Sequence, residues 1–155
     1  MKKLSVLHNT FFIERIYPKQ PAKVFAFFSD PVKKRRWLGG DDVGFEVLAF
    51  EPNFKVDQYE RWQYRFQGGL LMRTDICYQD IVPDRRIVFI YTMTFGDKRA
   101  SSSQVTVELT ANGSGTLLRH TEQGAFFDGT EPPEGREQGA GGLLDLLGKL
   151  LEEAP

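Results

Sequence analysis

The sequence holds one cysteine, Cys77, and two histidines, His8 and His120, among 155 residues. A single thiol closes no intrachain disulfide and builds no cysteine cage for a metal. Two histidines with neither H-x-H nor H-x-x-x-H spacing give no metal site. The chain also lacks a surplus of charge: 20 basic and 21 acidic side chains leave a formal net charge of −1. That balance argues against nucleic acid or an anionic membrane as partner. No apolar run approaches the roughly 20 residues of a membrane span. Met1 to Asn9 has no apolar stretch of the kind a signal peptide carries. There is no phosphate loop, no dinucleotide fingerprint and no G-x-S-x-G around Ser101 to Ser103. These absences predict a cytoplasmic chain with no metal, no cofactor and no membrane insertion.

Aromatic rings are abundant, with thirteen Phe, five Tyr and two Trp. At 155 residues, a single domain over 1–155 with one core is expected. Thr10 to Tyr17 reads as a strand closed by Pro18. Pro21 then opens a short helix to Phe28, with Val24, Phe27 and Phe28 at helical spacing. Asp30 and Pro31 supply an N-cap and a first-turn proline for a second helix ending at Trp37 and Leu38, with Gly39 and Gly40 as its stop. The basic run Lys33 to Arg36 on that helix reads as a solvated face.

From Val43 onward the pattern is strand after strand: Gly44 to Glu51, Gln58 to Gln67, Leu71 to Val82, Arg86 to Phe95, Arg99 to Thr110 and Thr116 to Gln123. Gly68-Gly69, Pro83-Asp84, Gly96-Asp97 and Asn112-Gly113 are the turn signals between them. Short links imply an antiparallel meander. The alternation in Gln58 to Gln67 is broken, with Tyr59 out of phase with Trp62, Tyr64 and Phe66. The segment Gly124 to Gly135 reads as a loop that carries Phe126 and Phe127. Arg136 to Glu153 then reads as a helix of about 27 Å at 1.5 Å per residue. Its apolar stripe comprises Ala140, Leu143, Leu144, Leu147, Leu150 and Leu151. Gly139, Gly141 and Gly142 dilute its helix propensity by roughly 1 kcal/mol each against Ala.

The order is therefore β-α-α-β6-α, an α+β fold in which a curved antiparallel sheet of about seven strands wraps a long C-terminal helix. That order resembles the SRPBCC superfamily, the helix-grip fold of START-like and birch-pollen-allergen-like proteins. Within it the chain looks like the bacterial branch named after the heat-shock-protein-90 ATPase activator, many of whose members carry a polyketide-cyclase-like label. The carrying stretches are Pro21 to Phe25 leading to Asp30, Pro31 and Trp37, then Asp80 to Phe89, Thr121 to Gly129, and Gly142 to Gly148. The resemblance implies a cavity between the concave sheet face and the last helix, and a hydrophobic or aromatic small molecule as partner.

Alternation nominates the residues that face such a cavity. Tyr91 and Met93 share the ringed face of their strand. His120 and Glu122, two apart, share a face of the last strand, where similar proteins usually carry an apolar residue at the His120 position. Trp37, Tyr64 and Tyr78 are further candidates, as are Phe126, Leu143 and Leu147. Trp62 reads more readily as core packing, and plain packing is the alternative for each ring. A histidine beside a carboxylate suits a general base or the orientation of a polar ligand. The bland alternative is a buried His120 satisfied by a tyrosine or backbone group, with Glu122 at the rim. Three functions stand open: a small-molecule binding protein; a cyclase, dehydratase or hydrolase using His120 or Glu122; and a co-chaperone-like interaction protein. Against the last, the eukaryotic activator carries a separate N-terminal chaperone-binding domain that is not expected here. The oligomeric state is left open between monomer and homodimer.

Overall fold

The computed structural model describes residues 5–39 and 44–155. The elements are β1 (Val6–Tyr17), α1 (Pro21–Ser29), α2 (Pro31–Leu38), β2 (Phe45–Glu51), β3 (Tyr59–Phe66), β4 (Leu71–Val82), β5 (Arg86–Phe95), β6 (Lys98–Asn112), β7 (Gly115–Phe127) and α3 (Pro133–Glu153). The α+β order expected from the sequence is the order observed. The strands form one curved antiparallel sheet in the order β1-β7-β6-β5-β4-β3-β2. Only the link from β1 crosses the sheet: α1 and α2 carry the chain from one edge to the other. β2 to β7 are then a plain meander.

Local chemistry accounts for the helix boundaries. Asp30 accepts hydrogen bonds from the backbone N–H groups of Val32 at 2.9 Å and Lys33 at 3.3 Å. That satisfies two of the donors a helix start leaves open. Gly39 closes α2 through its N–H to the Arg35 carbonyl, while Gly40 and Val43 lie outside the described residues. α3 begins at Pro133, three residues before the expected Arg136, with a proline at its first position. There a missing N–H costs nothing. β7 continues to Phe127, so Phe126 and Phe127 belong to the strand rather than to a loop. β1 begins at Val6, four residues before the expected Thr10, so His8 is part of the strand, opposite Ala125.

Bulges bend the sheet. The register shifts between Val47 and Ala49, between Tyr78 and Asp80, and between Met93 and Thr94. Each adds a local twist that helps the sheet curl. β3 pairs with β4 without any shift, so a bulge does not explain its odd alternation. The inward residues are Glu60, Trp62 and Tyr64, and Tyr59 is half exposed on the other face. The ring out of phase is an outward tyrosine, and the inward position is taken by a fully buried glutamate.

The core lies on the concave face, under α3. Leu144, Leu147 and Leu151 are buried there. Each contributes about 2 kcal/mol by leaving water. Tyr17 fixes the helix to the sheet: its hydroxyl donates to the Leu144 carbonyl at 2.7 Å. Its ring lies against Gly148, where a Cβ would come within 3.1 Å of Tyr17 Cε1. α3 packs chiefly on β1, α1 and α2. α3 has little contact with the inner face of β3 to β5; Trp62, Ile76, Tyr78 and Ile87 are buried there, while Tyr64, Phe89, Tyr91 and Met93 are half-buried.

Candidate functional site

Two polar clusters sit inside the fold. The first spans β5, β6, β7 and the start of α3. Period-two alternation puts His120, Glu122, Gly124 and Phe126 of β7 on the concave face, beside Ser101, Ser103, Val105 and Val107 of β6 and Tyr91 of β5. His120 Nε2 lies 3.0 Å from Glu122 Oε1. The Tyr91 hydroxyl donates to Glu122 Oε2 at 2.6 Å and accepts from Arg136 Nη1 at 2.7 Å. Arg136 also reaches Glu122 Oε2 at 3.4 Å and donates to Ser101 Oγ at 2.8 Å. Its outer side is held by Glu131, with Nε to Oε2 at 2.8 Å and Nη2 to Oε1 at 2.6 Å. The guanidinium rests over the rings of Tyr91 and Phe126, at 5.3 and 5.1 Å.

Glu122 is 2 % exposed and Arg136 8 %, so this is a buried network in which each member depends on its partners. Burial pushes the Tyr91 phenol well above its ordinary range, and the Glu122 charge adds to this against the opposing pull of Arg136. Tyr91 therefore keeps its proton and donates it. Burial works against the Arg136 charge, but Tyr91, Glu131 and Glu122 outweigh it and the guanidinium is held more firmly charged than usual. Ser103 Oγ is buried on the same wall with no hydrogen-bond partner among the described residues.

The second cluster joins α2 to β3 and β4. Lys34 Nζ donates to Glu60 Oε1 at 3.0 Å and to the Tyr78 hydroxyl at 2.8 Å. Trp62 Nε1 donates to Glu60 Oε2 at 3.1 Å. Lys34 is 3 % exposed and Glu60 0 %, which corrects the reading of Lys33 to Arg36 as a wholly solvated face. Lys34 stands one turn before Trp37, so it shares that residue's inward face. Its ammonium lies over the Phe54 ring at 4.7 Å. Burial lowers the Lys34 amine, opposed by Glu60, and burial together with Glu60 raises the Tyr78 phenol.

The ten nominated residues thus separate. Tyr91, His120, Glu122 and Phe126 meet around Arg136. Tyr78 belongs to the Lys34 cluster. Trp37 is core: it donates from Nε1 to the Phe27 carbonyl at 2.9 Å and meets the Phe28 ring edge-on. Tyr64 pairs with Thr74 Oγ1 at 3.1 Å between the two clusters. Met93 and Leu143 are half-buried, and Leu147 is fully buried. Glu122 lies inside the wall, not at a rim, and it is Glu122 rather than His120 that the tyrosine hydroxyl meets. The sequence reading missed Arg136, Glu131, Ser101, Lys34 and Glu60. Arg136 had a signal, since it lies one turn before Ala140 on the stripe of α3. Ser101 and Ser103 sit at the inward positions of β6, opposite Phe126 and Gly124, where small polar side chains give no apolar alternation to mark an inward face. An open cleft of about 310 Å³ lies away from both clusters, between α1, α2 and the end of α3, with Phe27, Leu150 and Leu151 among its lining. None of the nominated residues lines it. Among the described residues, no group of three or more His, Cys, Asp or Glu is placed to hold a metal ion.

Residues 19–152 match the family described as Activator of Hsp90 ATPase homolog 1-like protein. No curated protein matches the sequence. Among solved structures, a protein of Rhizobium loti is 47 % identical, with a TM-score of 0.86 over 94 % of this chain and 99 % of its own. An uncharacterized protein of Rhizobium leguminosarum is 36 % identical, with a TM-score of 0.90 over 97 % and 98 %. DynU16, from the dynemicin biosynthetic locus, shares the fold at 20 % identity and a TM-score of 0.64, over 92 % of this chain and 47 % of its own.

Proposed function

This chain belongs to the Activator of Hsp90 ATPase homolog 1-like family of the SRPBCC superfamily, and from that premise we propose that it is a binding protein for a hydrophobic or aromatic small molecule held between the concave sheet face and α3. The observation that carries this reading is the wall itself. A buried Arg136–Glu122–Tyr91 network, with His120 at its end, sits beside half-buried Tyr64, Phe89 and Met93. A ligand site has this make-up: mostly apolar and aromatic lining with a few fixed polar groups. The reading takes the chain as one cytoplasmic domain that needs no cofactor. A panel of apolar ring compounds and fatty acids should contain members that raise the melting temperature of the purified protein, by RT ln(1 + [L]/Kd) in stability. A panel without one stabilising member contradicts the reading.

The direct His120–Glu122 contact favours one second reading, an acid–base enzyme of cyclase, dehydratase or hydrolase type. A carboxylate that orients an imidazole is a recurrent arrangement for proton transfer. The His120→Phe variant should then keep its fold and lose turnover of whichever bound compound the wild type converts. Undiminished turnover in that variant removes His120 from the chemistry.

A further inference from the structure

We infer that the molecule held on the concave face is an apolar ring compound bearing a hydroxyl, and that His120 Nδ1 accepts the hydrogen bond from that hydroxyl. This rests on the small-molecule reading above and specifies its chemistry. The first step is the imidazole tautomer. Glu122 Oε1 faces His120 Nε2 at 3.0 Å, and a carboxylate only accepts. Nε2 therefore carries the hydrogen, and in the neutral ring Nδ1 presents a lone pair. That nitrogen has no hydrogen-bond partner among the described residues and is not sealed from solvent. The side chain remains 13 % exposed. The ring has little freedom to turn elsewhere, because Phe11 lies nearly parallel to it at 6.1 Å and 15°, and Ile13 and Val107 flank it in the sheet.

The rest of the wall argues against an anionic ligand. Arg136 already donates to Tyr91, Glu122, Ser101 and Glu131. The Tyr91 hydroxyl both donates and accepts. Glu122 and Glu131 bring two carboxylates against one guanidinium, so a third negative charge would meet repulsion, and the hydroxyl left without a partner among the described residues, Ser103 Oγ, is sealed from solvent. What the wall leaves both unpartnered and open to solvent, among the described residues, is one acceptor, His120 Nδ1, among apolar and aromatic surface. A phenol suits it better than an aliphatic alcohol, since its O–H is the stronger donor and its ring can lie against the apolar neighbours of His120, namely Phe11, Ile13 and Val107.

The test uses the full chain and three probes of one shape: 2-naphthol, its methyl ether 2-methoxynaphthalene, and 2-naphthoate. Calorimetric titration should show the naphthol bound roughly tenfold more tightly than the ether, about one buried hydrogen bond, with the naphthoate weakest. In His120→Phe, which keeps a ring against Phe11, naphthol and ether should bind alike, at the wild-type affinity for the ether. The Nδ1 nitrogen resonance of wild-type His120 should move with naphthol and not with the ether, a readout that needs no variant. Equal binding of naphthol and ether by the wild type, or a preference that survives in His120→Phe, overturns the inference and leaves the binding reading standing. Binding of none of the three overturns both.

Discussion

The Tyr91 hydroxyl joins Glu122 to Arg136: it donates to the carboxylate at 2.6 Å and accepts from the guanidinium at 2.7 Å. The direct Arg136–Glu122 contact is longer, 3.4 Å. Tyr91→Phe removes the link and leaves two buried partners short of a hydrogen bond. It should cost about 1–3 kcal/mol, read as a lower midpoint in urea unfolding. A variant as stable as the wild type contradicts the role given to this hydroxyl.

The second cluster makes a prediction of non-additivity. Lys34→Met leaves Glu60 charged or unpaired inside the protein and should cost about 3–5 kcal/mol. The double variant Lys34→Met with Glu60→Leu removes both charges and should recover much of that loss, because an apolar pair carries no desolvation cost. Equilibrium unfolding of the two single variants and the double variant checks it. A double variant whose loss equals the sum of the single losses shows no coupling between them.

Much of this was legible in the sequence, for identifiable reasons. The strand series, the Asp30 cap and the α3 stripe are repeating patterns, and each survived with small shifts at its ends. His120 and Glu122 stand two apart on one strand, so their shared face followed from the pleat alone. Glu60 and Lys34 were hidden because a charged residue at an inward position reads as a break in the pattern. Each becomes tolerable only through its partner, 26 positions away in the chain. Period-two alternation cannot reveal that pairing. Arg136 was obscured differently: its place on the stripe was readable, but Tyr91, Glu122 and Ser101, which accept it, come from three other elements.

Alkaline titration tests the buried phenols. Tyr17, Tyr64, Tyr78 and Tyr91 are all raised above the ordinary value of 10.0, in each case chiefly by burial. The folded chain therefore holds phenol protons that the unfolded chain releases. Their contribution to stability is fully present below about pH 10 and is lost progressively above it. Phenolate absorbance should show these four tyrosines ionising late, together with loss of the fold. Four ordinary titrations in an intact fold would contradict their burial.

Two glycines, Gly124 on the inner sheet face and Gly139 on the exposed side of α3, should respond in opposite directions. A Cβ at Gly124 would lie 2.8 Å from the Phe126 ring and 2.9 Å from Ser103 Oγ. Gly124→Ala should cost about 1–3 kcal/mol through overpacking. A Cβ at Gly139 of α3 meets nothing within 4 Å. Gly139→Ala should stabilise the helix by up to about 1 kcal/mol. Thermal melts of the two variants give the comparison, and equal shifts would contradict it.

Ser103 supplies a control of the opposite kind. Its hydroxyl is buried without a partner among the described residues, so Ser103→Ala removes a desolvated group rather than a bond. Stability should hold or rise by about 1 kcal/mol. A clear loss in chemical denaturation would mean the hydroxyl has a partner.

The proposed function puts a small apolar ring compound on the concave face, against the His120–Glu122 wall. The direct test is two-dimensional amide and side-chain NMR of the full chain during titration with 2-naphthol. Saturable shifts are expected at Tyr91, Met93, His120 and Leu143. Shifts confined to the outer cleft around Phe27 and Leu150, or no shifts at all, would contradict it.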